Sequence, residues 1–320
     1  MTSATAVAPK TQTAPVTPHE SYPELAAAIT GIDHLYLKRE DLHPLGSHKG
    51  RSISIMIDKG LADGIRSFVI SSSGNAALAA ALYIKQLNDI EAAQAEPITL
   101  DIFIGLKIAP HKRAKLEALK SEHIRVNSHE RPLQALFTRT QDPTMRGLRQ
   151  SNDDVALIGY ESLAEELMAI PDLRAVFVGA SSGTTAQALA EYFLAHNGKN
   201  GKARAPIEVH IVQTSSCHPM SDAFNEDIVT ADGGGETSIA DAIVDHTAIR
   251  RTKLIPLIEK TGGSGWIATN ESIEIAQELV RQHTPIKIST NSALSIVGLM
   301  NAIYTGRSWS GSIACLTCGE

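Results

Sequence analysis

The 320-residue chain is poor in aromatics, at 4%, and carries only three cysteines. An odd cysteine count in a chain this long argues against a disulfide scaffold and for a reducing, cytoplasmic setting. No apolar run approaches the roughly 18 residues that a membrane span needs. There is no block of like charge either: 29 Lys and Arg stand against 35 Asp and Glu, a formal net charge of -6. Without a basic patch, nucleic acid and an anionic membrane are both excluded as expected partners. What is present is 43% hydrophobic residues, enough for one large domain or two smaller ones.

The first twenty residues, "MTSATAVAPKTQTAPVTPHE", are rich in Thr, Ala and Pro. They lack the apolar stretch of a secretory signal and the arginines of a transit peptide, so a disordered tail is expected over 1–20. Beyond it, strand and helix signals alternate without repeats. "HLYLKRE", "SFVISSS", "ITLDIFIGL", "HIRVN", "AVFVGA" and "IEVHIVQT" read as strands. "KGRSISIMIDKGLADG", "NAALAAALYIKQL", "HKRAKLEALKSE" and "TTAQALAEYFLAHNG" read as helices. This alternation implies an α/β fold of mostly parallel sheets flanked by helices. Ligands then belong at the C-terminal ends of strands, in the turns that open helices. "NGKNGKARAP" reads as a solvated connection and "TADGGGE" as a glycine-rich loop.

Three strand-to-helix turns stand out. In "GSHKGR", Lys49 would open a helix, where a cation is mildly disfavoured unless its amine is neutralised, as in a Schiff base with an aldehyde cofactor. A solvent-facing surface lysine is the plain alternative. In "SSSGNAALAAA", the hydroxyls, Gly74 and the amides opening the helix suit a small anion such as a carboxylate; an ordinary Ser or Asn cap explains the composition equally. In "VFVGASSGTTAQAL", Ser181, Ser182, Gly183, Thr184 and Thr185 suit a phosphate. This stretch is neither a Walker A loop nor a dinucleotide fingerprint. From Gly179 to Gly183 it does match Gly-x-Ser-x-Gly, the elbow of a serine hydrolase. That reading makes Ser181 a nucleophile, with Asp222 or Asp241 and His246 or His283 as partners. It leaves the first two turns unexplained.

Taken together, the turns resemble the fold type II family of pyridoxal-phosphate (PLP) enzymes, which includes threonine synthases, threonine and serine dehydratases and cysteine synthases. "KREDLHPLGSHKGR" (Lys38 to Arg51) is similar to the stretch that carries the family's Schiff-base lysine, which implies that role for Lys49. "SSGN" resembles the substrate-carboxylate loop, implying carboxylate contacts from Ser72, Ser73, Gly74, Asn75 and Ala76, and cofactor contact from Asn75. Ser181 to Thr185 match the phosphate loop. "IACLTCGE" matches the segment whose hydroxyl meets the pyridine nitrogen, implying Thr317. His48 is expected to pack near the cofactor rather than to transfer protons. Lys49, once displaced by an amino acid, would be the general base for the Cα proton.

A neutral threonine at the ring nitrogen implies a weaker electron sink than a carboxylate gives, favouring β-elimination or β- or γ-replacement on an amino-acid substrate. "IVQTSSCHPMSDAF", "GGGETSIADAI" and "STNSALSIVGLMNAI" are in the style of threonine synthases and threonine dehydratases, with threonine synthase leading. The resemblance departs at Gly50, where the family usually has Asp, and at Cys318, where it has Gly. A PLP-binding member without turnover is therefore a further possibility.

The resemblance also implies a homodimer of two-lobed subunits, with the cofactor in the cleft and lobe closure excluding water. Residues 61–150 would form a small lobe, and 21–60 with 155–320 a large PLP-binding lobe. Cys315 and Cys318 form a C-x-x-C pair, but zinc needs two more ligands, so buried strand cysteines and no metal are expected.

Overall fold

A computed structural model describes residues 15–29, 32–91, 96–197, 205–224 and 237–319. The strands among them are β1 (His19–Ser21), β2 (Ile32–Lys38), β3 (Ser67–Ser71), β4 (Thr99–Gly105), β5 (Ile124–His129), β6 (Met145–Gly147), β7 (Leu173–Gly179), β8 (Glu208–Thr214), β9 (Gly265–Ala268) and β10 (Trp309–Leu316). They form two sheets, and the described residues divide into two compact units, one within Lys49–Arg149 and the other within Val16–His48 and Gln150–Glu320.

The first unit holds a parallel sheet in the order β5-β4-β3-β6. The helix Lys49–Ala62 packs on it closely: a Cβ on Gly60 would lie 2.6 Å from the Phe68 ring on β3. This helix also meets the helix Asn75–Glu91, where the Tyr83 hydroxyl donates to Asp58 Oδ1 at 2.7 Å.

The second unit holds a sheet in the order β1-β2-β10-β7-β8-β9, parallel except where β1 pairs with β2. Its central strand β7, "LRAVFVG", is nearly all apolar because both faces are covered. Alternate residues serve different cores. Ala175, Phe177, Val212, Ile313 and Cys315 face one, shared with the helices Asn270–His283 and Thr290–Tyr304. Val176, Val178, Ile211, Ala314 and Leu316 face the other, shared with the helices Glu161–Met168, Thr184–His196 and Arg251–Thr261. The fold is thus α/β, of mostly parallel sheets flanked by helices, as the sequence implied.

The boundaries differ from those expected. Residues 1–14 lie outside the described residues, but the expected tail overreaches at its end. β1 adds to the edge of β2, and buried Thr17 hydrogen-bonds Glu40. The division leaves the helix Lys49–Ala62 whole in the unit of β3, whereas the expected boundary at residue 60 would cut it. Most of "NGKNGKARAP" and all of "TADGGGE" lie outside the described residues. Among the described residues no helix is long and apolar enough to cross a membrane.

Candidate functional site

The chain passes between the two units from His48 to Lys49, and Lys49 is the first residue of its helix, half-buried. The same unit also holds the turn after β3. Ser72, Ser73, Gly74, Asn75 and Ala76 are all half-buried, and Ser72 Oγ accepts the Gly74 N–H at 3.3 Å. Asn75 opens the next helix, whose first N–H groups have no intrahelical acceptor and favour an anion. The hydrogen bond between Asp58 and Tyr83 ties the Lys49 helix to the Asn75 helix. Burial raises the Asp58 carboxyl above its ordinary value, and the Tyr83 hydroxyl offsets only part of that.

In the second unit, the turn after β7 is fixed from several sides. The Ala180 N–H donates to Val212 O at 2.8 Å, and Gln213 Nε2 donates to Ala180 O at 3.1 Å. Gly183 has φ +77°, and a Cβ there would lie 2.6 Å from Leu254 Cδ2. Ser182 Oγ and Thr184 Oγ1 are 2.9 Å apart, and Thr184 Oγ1 donates to Gln150 O at 3.3 Å. Thr184 and Thr185, buried, begin the helix Thr184–His196. Hydroxyls and first-turn N–H groups with no intrahelical acceptor favour an anion at this turn.

The same geometry bears on the hydrolase reading. Ser181 Oγ accepts the Val244 N–H at 3.2 Å, which latches the turn to the segment after residue 237. Asp222 pairs with His218 at 3.3 Å, and neither His246 nor His283 was its partner. Asp241 accepts from Asn291 Nδ2. A serine–imidazole bond is not what holds Ser181.

Thr317 follows β10 and is fully buried. Its hydroxyl lies 2.7 Å from Asp41 Oδ1 and 2.9 Å from Lys38 O. His48 Nδ1 donates to Cys318 O at 3.0 Å, and its ring stacks on Tyr160 with centroids 6.2 Å apart. That bond places a proton on Nδ1 and makes His48, the residue before Lys49, a packed anchor. Cys315 and Cys318 serve cores on opposite faces of the sheet, so they cannot grip one ion together. Burial pushes the Cys315 thiol well above its ordinary range.

Arg250 and Tyr160 were not singled out by sequence, because each reaches the site from a distant segment with no motif of its own, and Gln213 lay in the quoted "IVQTSSCHPMSDAF" without a role. Asp41 lay inside a quoted motif, in "KRED", without a role.

The family model described as pyridoxal-phosphate dependent enzyme matches residues 10–319. A threonine synthase of Methanosarcina acetivorans is 27% identical over 300 residues, covering 91% of this chain and 71% of that protein. A threonine synthase of Mycobacterium tuberculosis is 26% identical over 293 residues, covering 89% and 76%. Among solved structures, a pyridoxal 5'-phosphate-dependent aspartate racemase superposes with TM-score 0.75 at 20% identity, covering 95% of this chain and 90% of that one. The processed threonine deaminase isoform 2 of Solanum lycopersicum gives TM-score 0.72 at 18% identity, covering 95% and 78%. The chain belongs to the fold type II family of pyridoxal-phosphate dependent enzymes, and PLP is its cofactor.

Proposed function

We propose that this protein is a threonine synthase-like enzyme, converting O-phosphohomoserine and water to threonine and inorganic phosphate. In that conversion the Cγ–O bond breaks with loss of phosphate, and water supplies the hydroxyl at Cβ. The observation that carries this reading is the likeness to threonine synthases, which spans about nine-tenths of the chain. The roles follow the residues. Ser182, Gly183, Thr184 and Thr185 hold the cofactor phosphate, with Ser181 keeping the turn in place through Val244. Asn75 and the N–H groups of Ser72–Ala76 orient the substrate carboxylate. Lys49 Nζ holds the cofactor and later takes the proton from the substrate Cα.

The residues present fit PLP at two points: a primary amine opens one helix, and a hydroxyl-rich turn opens another. When bound, PLP withdraws electrons from the substrate Cα. Thr317 fits less simply, since its one hydrogen is already donated within its own unit. A homodimer in the cytoplasm belongs to the same reading; the three cysteines are all buried and none is in a disulfide, in keeping with a reducing setting.

A second reading, threonine or serine dehydratase, is favoured by the likeness to the threonine deaminase fold. The test is to purify wild type and Lys49→Ala, record their absorption with PLP, and assay phosphate release, threonine formation and 2-oxoacid formation. Threonine and phosphate from O-phosphohomoserine, abolished in Lys49→Ala, support the lead. A 2-oxoacid from threonine or serine moves the assignment to the dehydratases. Bound PLP with no turnover of either substrate sinks both.

A further inference from the structure

Behind the Ser181–Thr185 turn lies a buried arginine. Arg250 is only 3% exposed and stands immediately before the helix Arg251–Thr261. Its Nη1 donates to Asp154 Oδ1 and Gln187 Oε1, both at 2.9 Å. Its Nη2 donates to the carbonyls of Gln150 at 2.8 Å and Asp153 at 3.0 Å. Arg250 Nε finds no acceptor among the described residues.

Two of these acceptors lead directly to the turn. The Gln150 carbonyl has two lone pairs, and its second partner is Thr184 Oγ1, itself 2.9 Å from Ser182 Oγ. Gln187 sits one turn along the helix that Thr184 begins, and its Nε2 continues to Glu191 Oε1 at 2.8 Å. The backbone acts in the same direction. Arg250 O accepts the Leu254 N–H at 2.8 Å, and Leu254 fills the space beside Gly183. One planar fork therefore fixes the hydroxyl rim and the first turn of the helix, and the backbone of the same residue holds the packing beneath the glycine. A lysine offers no such fork and could not reach four acceptors in one plane.

We infer that Arg250 is a positioning residue for the cofactor phosphate, setting the Ser182–Thr184 hydroxyl pair and the helix opening without touching the phosphate itself. This rests on the assignment of Ser181–Thr185 as the phosphate loop. A merely structural arginine would affect the binding of any cofactor form equally. A positioning arginine affects the phosphorylated form selectively.

The experiment compares dissociation constants of PLP and of pyridoxal, which lacks the phosphate, for the full-length wild type, Arg250→Lys, Gln187→Met and Ser182→Ala. Melting temperatures of the cofactor-free proteins serve as the folding control. Arg250→Lys is expected to weaken PLP about tenfold, the scale of one charge-assisted hydrogen bond, with pyridoxal changing less than about twofold. Gln187→Met is expected to show the same selectivity at about threefold, and it carries the test if Arg250→Lys does not fold. Equal weakening of both ligands, or no change in either, overturns the inference. If Ser182→Ala loses PLP selectively and neither other variant does, the loop assignment stands and only the role of Arg250 falls. If wild type binds PLP no better than pyridoxal, the loop assignment fails and takes Arg250 with it.

Discussion

Thr317 Oγ1 donates to Asp41 Oδ1 across 2.7 Å, joining residues 276 positions apart. The direction of that bond is set by Arg39. Its Nε and Nη2 donate to the Asp41 carboxylate at 3.0 and 2.8 Å, and the carboxylate oxygens accept from the Thr317 hydroxyl as well. The hydroxyl thus closes a small polar cluster at the ends of β2 and β10. Thr317→Val, which keeps the shape and removes the donor, is expected to destabilise the protein by about 1–3 kcal/mol, the cost of taking a buried donor from a partly buried carboxylate. Thr317→Ser keeps the donor and should cost less. Chemical denaturation of the two variants decides it: equal losses would mean that the methyl, not the hydroxyl, matters.

Gly183 offers a sharper test of the turn. An L-residue at φ +77° costs about 1–2 kcal/mol, and the added Cβ would also collide with Leu254 and Met220. Gly183→Ala should therefore lower both the melting temperature and the PLP affinity. Gly74→Ala, where a Cβ meets open space, should leave the melting temperature nearly unchanged. If the two variants melt alike, the packing beneath Gly183 is not what makes glycine necessary there.

The turns were legible because backbone geometry writes its own composition. A strand that hands over to a helix through a tight turn draws on Gly, Ser, Thr and Asn, as at Ser72–Asn75 and Ser181–Thr185. The long strands were legible from their apolar runs, β7 above all. β1 and β6, three residues each, are too short to show any period. The braces were hidden for another reason. Arg250 reaches Gln150 and Gln187, and Asp41 reaches Thr317, only after distant segments have folded together, and a single arginine or aspartate carries no pattern.

Asp101 on β4 is buried between two half-exposed arginines, Arg125 Nε at 2.6 Å and Arg139 Nη2 at 2.6 Å. Burial alone would raise its carboxyl, but hydrogen bonds from Arg125 and Arg139 outweigh that and hold it below the ordinary range. It joins β4 to β5 and to the helix Pro132–Arg139. Asp101→Ala should cost about 1–3 kcal/mol, less than a fully buried pair would, because both arginines remain half in solvent. A loss below about 0.5 kcal/mol by denaturant titration would reduce the cluster to a surface pair.

His210 gives the second unit a pH dependence. Its ring stacks on Phe177 at 4.4 Å, and its Nδ1 accepts from Ser264 N at 3.1 Å and from Trp266 Nε1 at 3.2 Å. The proton therefore sits on Nε2, which donates to Glu208 Oε2 at 3.0 Å. Burial lowers the His210 pKa, and Glu208 only partly restores it. A second proton would have to go on Nδ1, facing two N–H groups. Since the folded pKa lies below the unfolded value of about 6.5, the unfolded chain binds the extra proton first. The stability that depends on neutral His210 is complete above that pH and declines as pH falls below it toward the folded pKa. The melting temperature should be flat from about pH 8 to 7 and fall between about pH 6.5 and 5. His210→Phe should be less stable at neutral pH, by about 1–3 kcal/mol for the two stranded donors, yet show a flatter curve in that window. Parallel curves for wild type and variant would place the acid sensitivity elsewhere.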